Sequence, residues 1–407
     1  MKPRILALCQ SLPYPPHSGV TNRTLHLLTE LEQEFAVTLI PFFRVNHQPT
    51  TEERRSAHRE LAARLTAVAQ PVPIRGETSL PRRLLDHTRS LLTRRPYTYF
   101  EYGSARFTEA LASSILAARP DLVHLDSLDL YRYLPVISSR PVACTHHNIE
   151  SDLLRSRAAR LDPLVGGYVR WQAKRLQAVE RSVAATVSMN VMVSGPDEHR
   201  LQAMVPAART TVVPNGVDTD YFRPSESPPV EGRVLFVGPT YSFPNLDAVE
   251  FLAREIWPAV RASLPEASLE IAGRNAPGHG SRFAGVPAMS LLGHLEDLRP
   301  SLRSAACVAV PIRIGGGTRL KVLDAWAMGR AVVSTTVGCE GLPAVDGANL
   351  LIRDDAKSFA EAVRAVLTDP DLGQRLGAHG RETAVSQYHW PKIGETLRSC
   401  YRGLLAQ

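Results

Sequence analysis

The chain has 407 residues, of which 44% are hydrophobic and 21% charged, and this excludes a disordered chain or a small disulfide-stapled fold and predicts two or three globular domains. Its five cysteines are scattered and form no Cys-x-x-Cys pair, which excludes a zinc or redox motif and indicates buried thiols in a reducing cytosol. The formal net charge of +7 lies in the front half, where residues 1–210 carry 27 Lys and Arg against 19 Asp and Glu.

This basic front half has two interpretations. Segment 51–110 holds eleven arginines, and segment 151–181 is similarly basic. These residues form either a plain solvated face or a surface for peripheral contact with an anionic membrane. The N-terminal apolar run is shorter than a signal-peptide core, and no stretch approaches ~18 uninterrupted apolar residues. We therefore expect a cytoplasmic protein, with any membrane association at the inner face.

Elements in the first half follow the alternation of parallel sheets. Short branched apolar runs alternate with helix-length amphipathic segments, which is typical of strand-helix-strand units. The predicted strands are Ile5–Cys9, Val37–Phe42, Leu122–Leu125, Val142–Thr145 and Val191–Ser194. The predicted helices lie near 20–33, 51–69, 104–118 and 149–187.

A proline-rich stretch from Val212 to Gly232 predicts an interdomain connection. A second series follows, with strands predicted at Val234–Val237, Leu269–Ala272, Cys307–Pro311 and Val332–Thr335 and helices near 245–262, 317–328 and 357–368. The last segment is helical in pattern. We predict an α/β protein with two similar domains, 1–212 and 213–383, and a closing helix in 384–407.

Two loops of the first half follow strands, at the edge where ligands bind in such sheets. The loop and helix start SLPYPPHSGVTNRTLHLLTEL contains Gly19 and offers Asn22 and Arg23 to an acceptor. The segment ACTHHNIES delivers His146 and His147, for which a substrate role and a structural role are about equally supported. No third ligand at metal spacing follows them, so we predict no metal site.

The stretch VAVPIRIGGGTRLKVLDAWAMGRAVV has the layout of an anion site. A buried strand ends, three glycines follow, and a helix begins near Thr318, so backbone N–H groups and the helix N-terminus can face a phosphate. Arg319 and Lys321 oppose the helix dipole unless an anion compensates them. Lys321 and Asp324 share one helix face, which places a cation for phosphate beside a carboxylate for sugar hydroxyls. The structural alternative is a flexible glycine loop with exposed charges.

Two further glycines in the second half, Gly238 and Gly273, directly follow predicted strands. A nucleotide could approach either turn, and tight packing between strand and helix explains them equally well. A Walker loop is absent, and no Gly-x-Gly-x-x-Gly follows the first strand of either half. This argues against an ATPase and against an ordinary NAD enzyme.

Taken together, these features resemble a retaining glycosyltransferase of family 4. The resemblance spans nearly the whole chain and is carried by LPYPPHSGVTNRTLHLLTEL, THHNIES, VSGPDEHRL, VVPNGVDTDYF, LLGHLEDLRPSLRSA and GGGTRLKVLDAWAMGRAVVSTTVGCEGL. It implies a GT-B fold: two facing Rossmann-like domains with parallel sheets and a C-terminal helix that crosses back to the first domain.

The resemblance also implies an activity and a set of residues. A sugar would pass from a nucleotide-diphosphate sugar, without metal or other cofactor, to a sugar, lipid-linked or polysaccharide acceptor in cell-surface polysaccharide or glycolipid synthesis. His147 would lie near the transferred sugar, with His146 as second choice, and Asn22 and Arg23 would contact the acceptor. The implied donor-binding residues are Gly19, Gly238, Gly315, Gly316, Gly317, Thr318, Arg319, Lys321 and Asp324.

Two motifs of the family are changed in this sequence. Gly316 stands where the first glutamate of a Glu-x7-Glu pair is usual, and Asp324 replaces the second. The usual Gly-Arg…Lys-Gly diphosphate motif is replaced by VGPTYSFPN. The alternatives are a nucleotide-sugar epimerase or hydrolase of the same architecture and a non-catalytic nucleotide-binding protein. Nucleic-acid binding has only charge in its favour, so we expect no nucleic-acid partner.

Overall fold

The computed structural model describes residues 2–74, 76–137, 139–225, 227–276, 278–315 and 319–407. The chain forms two compact units: the first runs to Pro214 and includes Trp390–Gln407, and the second is Asn215–His389. The division differs from the predicted closing segment 384–407, because residues up to Tyr388 complete a helix of the second unit.

The first unit is built on a parallel sheet. Among the described residues its eight strands are ordered β3-β2-β1-β5-β6-β7-β8, with β4 beside β2. The strands are β1 (Arg4–Cys9), β2 (Ala36–Phe43), β3 (Ala67–Val68), β4 (Val72–Pro73), β5 (Leu122–Leu125), β6 (Val142–His146), β7 (Met189–Met192) and β8 (Thr210–Val212). The helices are α1 (Gly19–Glu32), α2 (Thr51–Ala62), α3 (Leu80–Thr93), α4 (Thr98–Glu101), α5 (Ala105–Ala118), α6 (Leu134–Ile137), α7 (Glu150–Ala158), α8 (Pro163–Thr186) and α9 (Gly195–Met204), with a 3-10 helix at Leu128–Tyr133.

The second unit repeats the parallel arrangement. Its described strands are ordered β11-β10-β9-β12-β13-β14. They are β9 (Arg233–Val237), β10 (Ser268–Ala272), β11 (Met289–Gly293), β12 (Cys307–Val310), β13 (Ala331–Ser334) and β14 (Leu351–Ile352). The helices are α10 (Phe243–Phe251), a π-helical turn (Leu252–Ile256), α11 (Trp257–Ser263), α12 (His279–Phe283), α13 (Arg299–Ser304), α14 (Leu320–Ala327), α15 (Ala356–Thr368) and α16 (Pro370–Tyr388), with a 3-10 turn at Val337–Cys339.

The last helix, α17 (Trp390–Leu405), belongs to the first unit and packs on α1. Arg398 Nη1 donates to Oε2 of the buried Glu30 at 2.6 Å, and a Cβ on Gly394 would lie 2.5 Å from the Glu30 side chain. Only glycine therefore lets the two helices approach this closely. The two parallel sheets and the return of α17 confirm the predicted architecture.

Local sequence explains where prediction and structure differ. The single helix predicted over 149–187 is broken, because the Asp162 side chain accepts from the backbone N–H groups of Leu164 and Val165 and caps a new helix. Ser18 caps α1, which therefore begins at Gly19, one residue before the predicted start near 20. Helices α3 and α9 were not predicted. Among the described residues, no helix is long and apolar enough to cross a membrane.

Candidate functional site

Asp126 is the centre of a buried polar cluster in the first unit. It follows β5, whose neighbours β1 and β6 end at the same edge of the sheet, and it is 2% exposed. Its Oδ2 accepts from Thr24 Oγ1 at 2.7 Å, and its Oδ1 lies 3.4 Å from His124 Nε2. Burial raises the pKa of Asp126, but the hydrogen bonds from His124 and Thr24 lower it, and the pKa lies below its ordinary value.

The two candidate histidines have different environments. His147 follows β6, and its Nε2 lies 4.0 Å from Asp126 Oδ2. Burial lowers the pKa of His147 although Asp126 opposes this, so the imidazole is neutral near pH 7 and can accept a proton. His146 instead points into the fold, where its Nε2 donates to Asn190 Oδ1 at 2.9 Å and burial lowers its pKa to about 4. His146 is therefore held inside the fold, and its role as the second-choice catalytic residue remains a prediction.

The three residues predicted around α1 also differ from one another. Gly19 is exposed at the first position of the helix, and Asn22 is half-buried in its first turn. Arg23 is 1% exposed, and its Nη1 donates to the carbonyl oxygen of Pro214 at 2.8 Å. The guanidinium is therefore held against the backbone of the first unit in this structure. The roles of Gly19, Asn22 and Arg23 remain predictions.

A cavity of about 200 Å³ opens beside the start of α1 within the first unit. Its lining residues are almost all polar: Gln10, Ser11, His17, Ser18, Val20, Thr21, Arg44, His47, Glu101, Tyr102 and Asp129. A volume of this size accommodates one sugar ring, and hydroxyl, amide and carboxyl groups are the side chains that bind sugar hydroxyls. The cavity is therefore a candidate acceptor pocket.

The charged groups of this cavity interact with one another, which fixes their positions and shifts their pKa values. Arg44 Nη2 donates to the Tyr102 hydroxyl at 2.7 Å, and its Nη1 lies 3.4 Å from Glu101 Oε1. Burial raises the pKa of Glu101. Burial also raises the pKa of Asp129 to about 8, and the charges of Glu150 and Glu101 act in the same direction. At neutral pH, Asp129 can therefore donate a hydrogen bond as well as accept one.

In the second unit, Lys321 lies in the first turn of α14, where its Nζ donates to Asn245 Oδ1 at 2.8 Å. The same ammonium lies 4.4 Å from the ring centroid of Phe236. Burial, with the nearby charge of Arg319, lowers the pKa of Lys321 to about 7. A Lys side chain whose pKa is lowered by burial is stabilised in its charged form when an anion binds nearby.

The glycine block that precedes α14 is described only in part. Gly315 has a φ of 120°, which favours glycine. Gly316, Gly317 and Thr318 lie outside the described residues. Arg319 is the N-cap residue of α14, which begins at Leu320 rather than near Thr318. Its Nη2 donates to the Gly315 carbonyl oxygen at 2.8 Å, so Arg319 folds back on Gly315.

Asp324 lies one turn beyond Lys321 on the same helix and is half-buried. Burial raises its pKa to about 7. In the described part of the chain its carboxyl group has no hydrogen bond, whereas Lys321 is held by Asn245. A desolvated carboxyl group without a protein partner can take up ligand hydroxyls.

Gly238, predicted to bind the donor, is buried at the end of β9. A Cβ at this position would lie 2.8 Å from the Asn245 side chain, and a Cβ on Gly273 would lie 2.4 Å from the Gly238 carbonyl carbon. The two glycines therefore allow the close approach of two loops. This packing accounts for both glycines, and a donor contact at Gly238 remains a prediction.

Comparison with known families identifies the family of this chain. The model described as Glycosyltransferase Family 4 matches residues 17–221, half of the chain. The chain belongs to glycosyltransferase family 4. A second model, described as Glycosyl transferases group 1, matches residues 231–369, so this glycosyltransferase is recognised in both units. The protein is an enzyme of the transferase class.

Individual proteins that resemble this chain share limited sequence identity with it. An alpha-maltose-1-phosphate synthase of Mycolicibacterium smegmatis is 26% identical over 298 residues, covering 65% of this chain and 74% of that protein. The lipopolysaccharide core biosynthesis glycosyltransferase LpsE of Rhizobium meliloti is 37% identical over 118 residues, which are 28% of this chain and 33% of LpsE.

Solved structures support the GT-B fold of this glycosyltransferase. Sucrose-phosphate synthase of Thermosynechococcus elongatus superposes with a TM-score of 0.72 at 18% identity, covering 99% of both chains. Anabaena HepE in complex with UDP superposes with a TM-score of 0.67 at 13% identity, covering 98% of this chain and all of that one.

Several residues of the candidate site were not predicted. Asp126 and Asp129 follow β5, and Asn245 lies in the first turn of α10. A polar residue directly after a buried strand was the available signal for Asp126. The contacts of Asn245 with Lys321 span 76 residues, and sequence spacing contains no information about such a pair.

Proposed function

We propose that this glycosyltransferase transfers a sugar from a nucleotide-diphosphate sugar to a sugar, lipid-linked or polysaccharide acceptor, with retention of configuration and without a metal. The observation that carries the proposal is that two side chains share one face of α14: Lys321, a cation for phosphate, and Asp324, whose carboxyl group has no hydrogen bond among the described residues. HepE, which shares the fold, binds UDP and UDP-glucose. LpsE acts in lipopolysaccharide core synthesis, which supports a role in cell-surface polysaccharide or glycolipid synthesis.

The two units have different parts in this proposal. The second unit binds the donor: Lys321 contacts the diphosphate, Asp324 accepts hydrogen bonds from sugar hydroxyls of the nucleotide, and Gly315 lets the backbone approach. The first unit binds the acceptor in the cavity that contains Glu101 and Asp129. A family 4 enzyme of this kind works by positioning and by stabilising charge on the leaving diphosphate.

His147 contributes a neutral imidazole next to a buried carboxylate. Asp126 lies 4.0 Å from its Nε2 and stabilises the imidazolium if the ring takes up a proton or approaches developing positive charge on the sugar. In a retaining transfer at one face of the sugar, the leaving phosphate oxygen takes the proton of the acceptor hydroxyl. His147 then acts on the transferred sugar rather than as the general base.

Calorimetric titration without divalent metal tests the donor site. The protein is titrated with UDP, GDP and ADP, and the same titration is repeated on Lys321→Ala. We expect micromolar affinity for one nucleotide and a loss of roughly 10- to 100-fold in the variant, because a hydrogen bond to a charged group contributes about 1.5–3 kcal/mol.

Lys357→Ala is the matched control, since Lys357 is an exposed lysine of α15 in the same unit. Its affinity should equal that of the unaltered protein. Binding of no nucleotide, or equal binding by Lys321→Ala, would contradict the donor assignment.

A further inference from the structure

Helix α3 has its apolar face turned away from the protein. Leu84, Leu91 and Leu92 are 58%, 51% and 80% exposed, whereas the buried positions of this helix are Asp86 and Ser90. An ordinary surface helix buries its leucines and exposes its charges. The sequence of α3 is strongly amphipathic, so the exposed leucines form one continuous stripe rather than isolated positions.

Specific hydrogen bonds hold α3 in this orientation. His87 Nδ1 pairs with the Tyr168 hydroxyl of α8 at 2.6 Å. The Ser90 hydroxyl accepts from Gln172 Nε2 at 2.9 Å and donates to the Arg95 carbonyl oxygen at 2.6 Å. Rotating the helix to bury its leucines would break these bonds and leave buried polar groups without partners.

The apolar surface continues onto the start of α8. Leu164 is 88% exposed and Val165 48%. Leu164 lies one turn before Tyr168, the residue that contacts His87 of α3. Two neighbouring helices therefore present leucine side chains outward around one contact, and we call α3 together with Leu164 and Val165 the leucine face.

Arginines surround the leucine face. Segment 80–95 contains five arginines and a single acidic residue, Asp86, which is buried and paired with Arg82 at 3.1 Å. Arg83, Arg89 and Arg94 are exposed. A second copy of the chain would bring these like charges together, whereas phospholipid headgroups supply the opposite charge.

We propose that the leucine face docks on an anionic membrane, with the leucines in the boundary between headgroups and acyl chains and the arginines on lipid phosphates. An interfacial helix with a large apolar face and a basic margin binds in this way. The proposal goes beyond sugar transfer and depends on none of the residues of the candidate site.

Flotation with lipid vesicles tests it. The full chain is mixed with vesicles of phosphatidylcholine alone and with vesicles that also contain phosphatidylglycerol. We expect binding to the second kind only. The double variant Leu84→Gln/Leu91→Gln should lose roughly tenfold or more of this affinity. Leu116→Gln is the control, because Leu116 is a 77% exposed leucine on α5 and should not matter.

A charge variant distinguishes the arginines from the leucines. Arg83→Gln/Arg94→Gln should lose roughly 30-fold in affinity for the phosphatidylglycerol vesicles, at about 1 kcal/mol per arginine. Arg106→Gln, an exposed arginine of α5, is its control. Affinity for nucleotide should be unchanged in all four variants, so failure of membrane docking leaves the donor site intact.

Two results would overturn the proposal. One is equal vesicle binding by the unaltered protein and Leu84→Gln/Leu91→Gln. The other is a self-associated protein that the leucine variant converts to monomer while vesicle binding stays the same, since a second copy would then be the occupant of the leucine face.

Discussion

The Asp126 cluster of the first unit and the Lys321–Asp324 face of the second unit use buried charge in opposite ways. Asp126 already accepts hydrogen bonds from Thr24 and His124. Asp324 has a desolvated carboxyl group without a hydrogen bond among the described residues. The pKa of Asp126 is held low and that of Asp324 is raised. The difference indicates that the first cluster is preorganised by the fold, and it fits our proposal that a bound ligand completes the second.

The largest effect should come from breaking the preorganised cluster. Asp126→Asn removes the carboxylate that faces His124, Thr24 and His147, and we expect the free energy of unfolding to fall by about 3–5 kcal/mol. Denaturant titration measures it. Asp152→Asn, at an exposed ion pair of α7, should change stability by less than about 0.5 kcal/mol. A loss below about 1 kcal/mol for Asp126→Asn would mean that the cluster is not rigid.

Next in size is the effect of His147 on turnover. His147→Ala should lower kcat by about 100- to 1000-fold, because a group that interacts with the reacting sugar is lost. Affinity for nucleotide should not change. His199→Ala, at an exposed histidine of α9, should retain full turnover. A kcat within a few-fold of the unaltered protein would remove His147 from the mechanism.

Nucleotide affinity at the Lys321–Asp324 face should depend on pH. The pKa of Lys321 is about 7 in the free protein, so its ammonium is lost as pH rises through 7 and must be regained when a diphosphate binds. Nucleotide affinity should therefore weaken above pH 7, approaching tenfold per pH unit. Lys321→Arg keeps its charge and should show a flat profile. An equally steep profile in this variant would assign the titration to another group.

The smallest effect concerns the stability cost of Asp324. Its pKa is raised from 3.8 to about 7, so the folded state is penalised increasingly as pH rises from about 4 to 7 and fully above 7. Asp324→Asn should stabilise the protein at pH 8 by about 1–2 kcal/mol. This is less than the full pKa shift would give, because the half-buried side chain is partly screened by solvent. The same variant should bind nucleotide more weakly. The control is Asp371→Asn, at an exposed position, for which neither change is expected. If Asp324→Asn were less stable than the unaltered protein, burial of the Asp324 carboxylate would not be destabilising.

The sequence alone predicts features that depend on neighbouring residues, but not contacts between residues that are far apart in the chain. The strand Leu122–Leu125 was predicted at its observed bounds, because branched apolar runs are a local signal. His124 and Tyr401 form a 2.5 Å contact across 277 residues, and no local pattern indicates it. The positions of Lys321 and Asp324 on one helix face follow from helical spacing, but the partner Asn245 does not. The contact of Arg23 with Pro214 spans 191 residues and likewise has no local signal.

Helix α3 was missed for a different reason. Its leucines were available as a signal, but a helix is usually assigned by the face that it buries, and here the buried face is Asp86 and Ser90. The local pattern indicates an amphipathic helix but not which of its faces the protein buries. Exposure of the apolar face is visible only once the bonds from His87 to Tyr168 and from Gln172 to Ser90 are known.

The position of α17 determines when the first unit can finish folding during synthesis. Trp390, Leu397 and Tyr401 are part of the core that contains β1 and β2, so that core stays incomplete until residues beyond 401 have left the ribosome. The second unit, Asn215–His389, is complete in sequence earlier. The amino-terminal sheet, although translated first, therefore matures last, and a chain released early would expose an unfilled groove on the unit that carries Asp126.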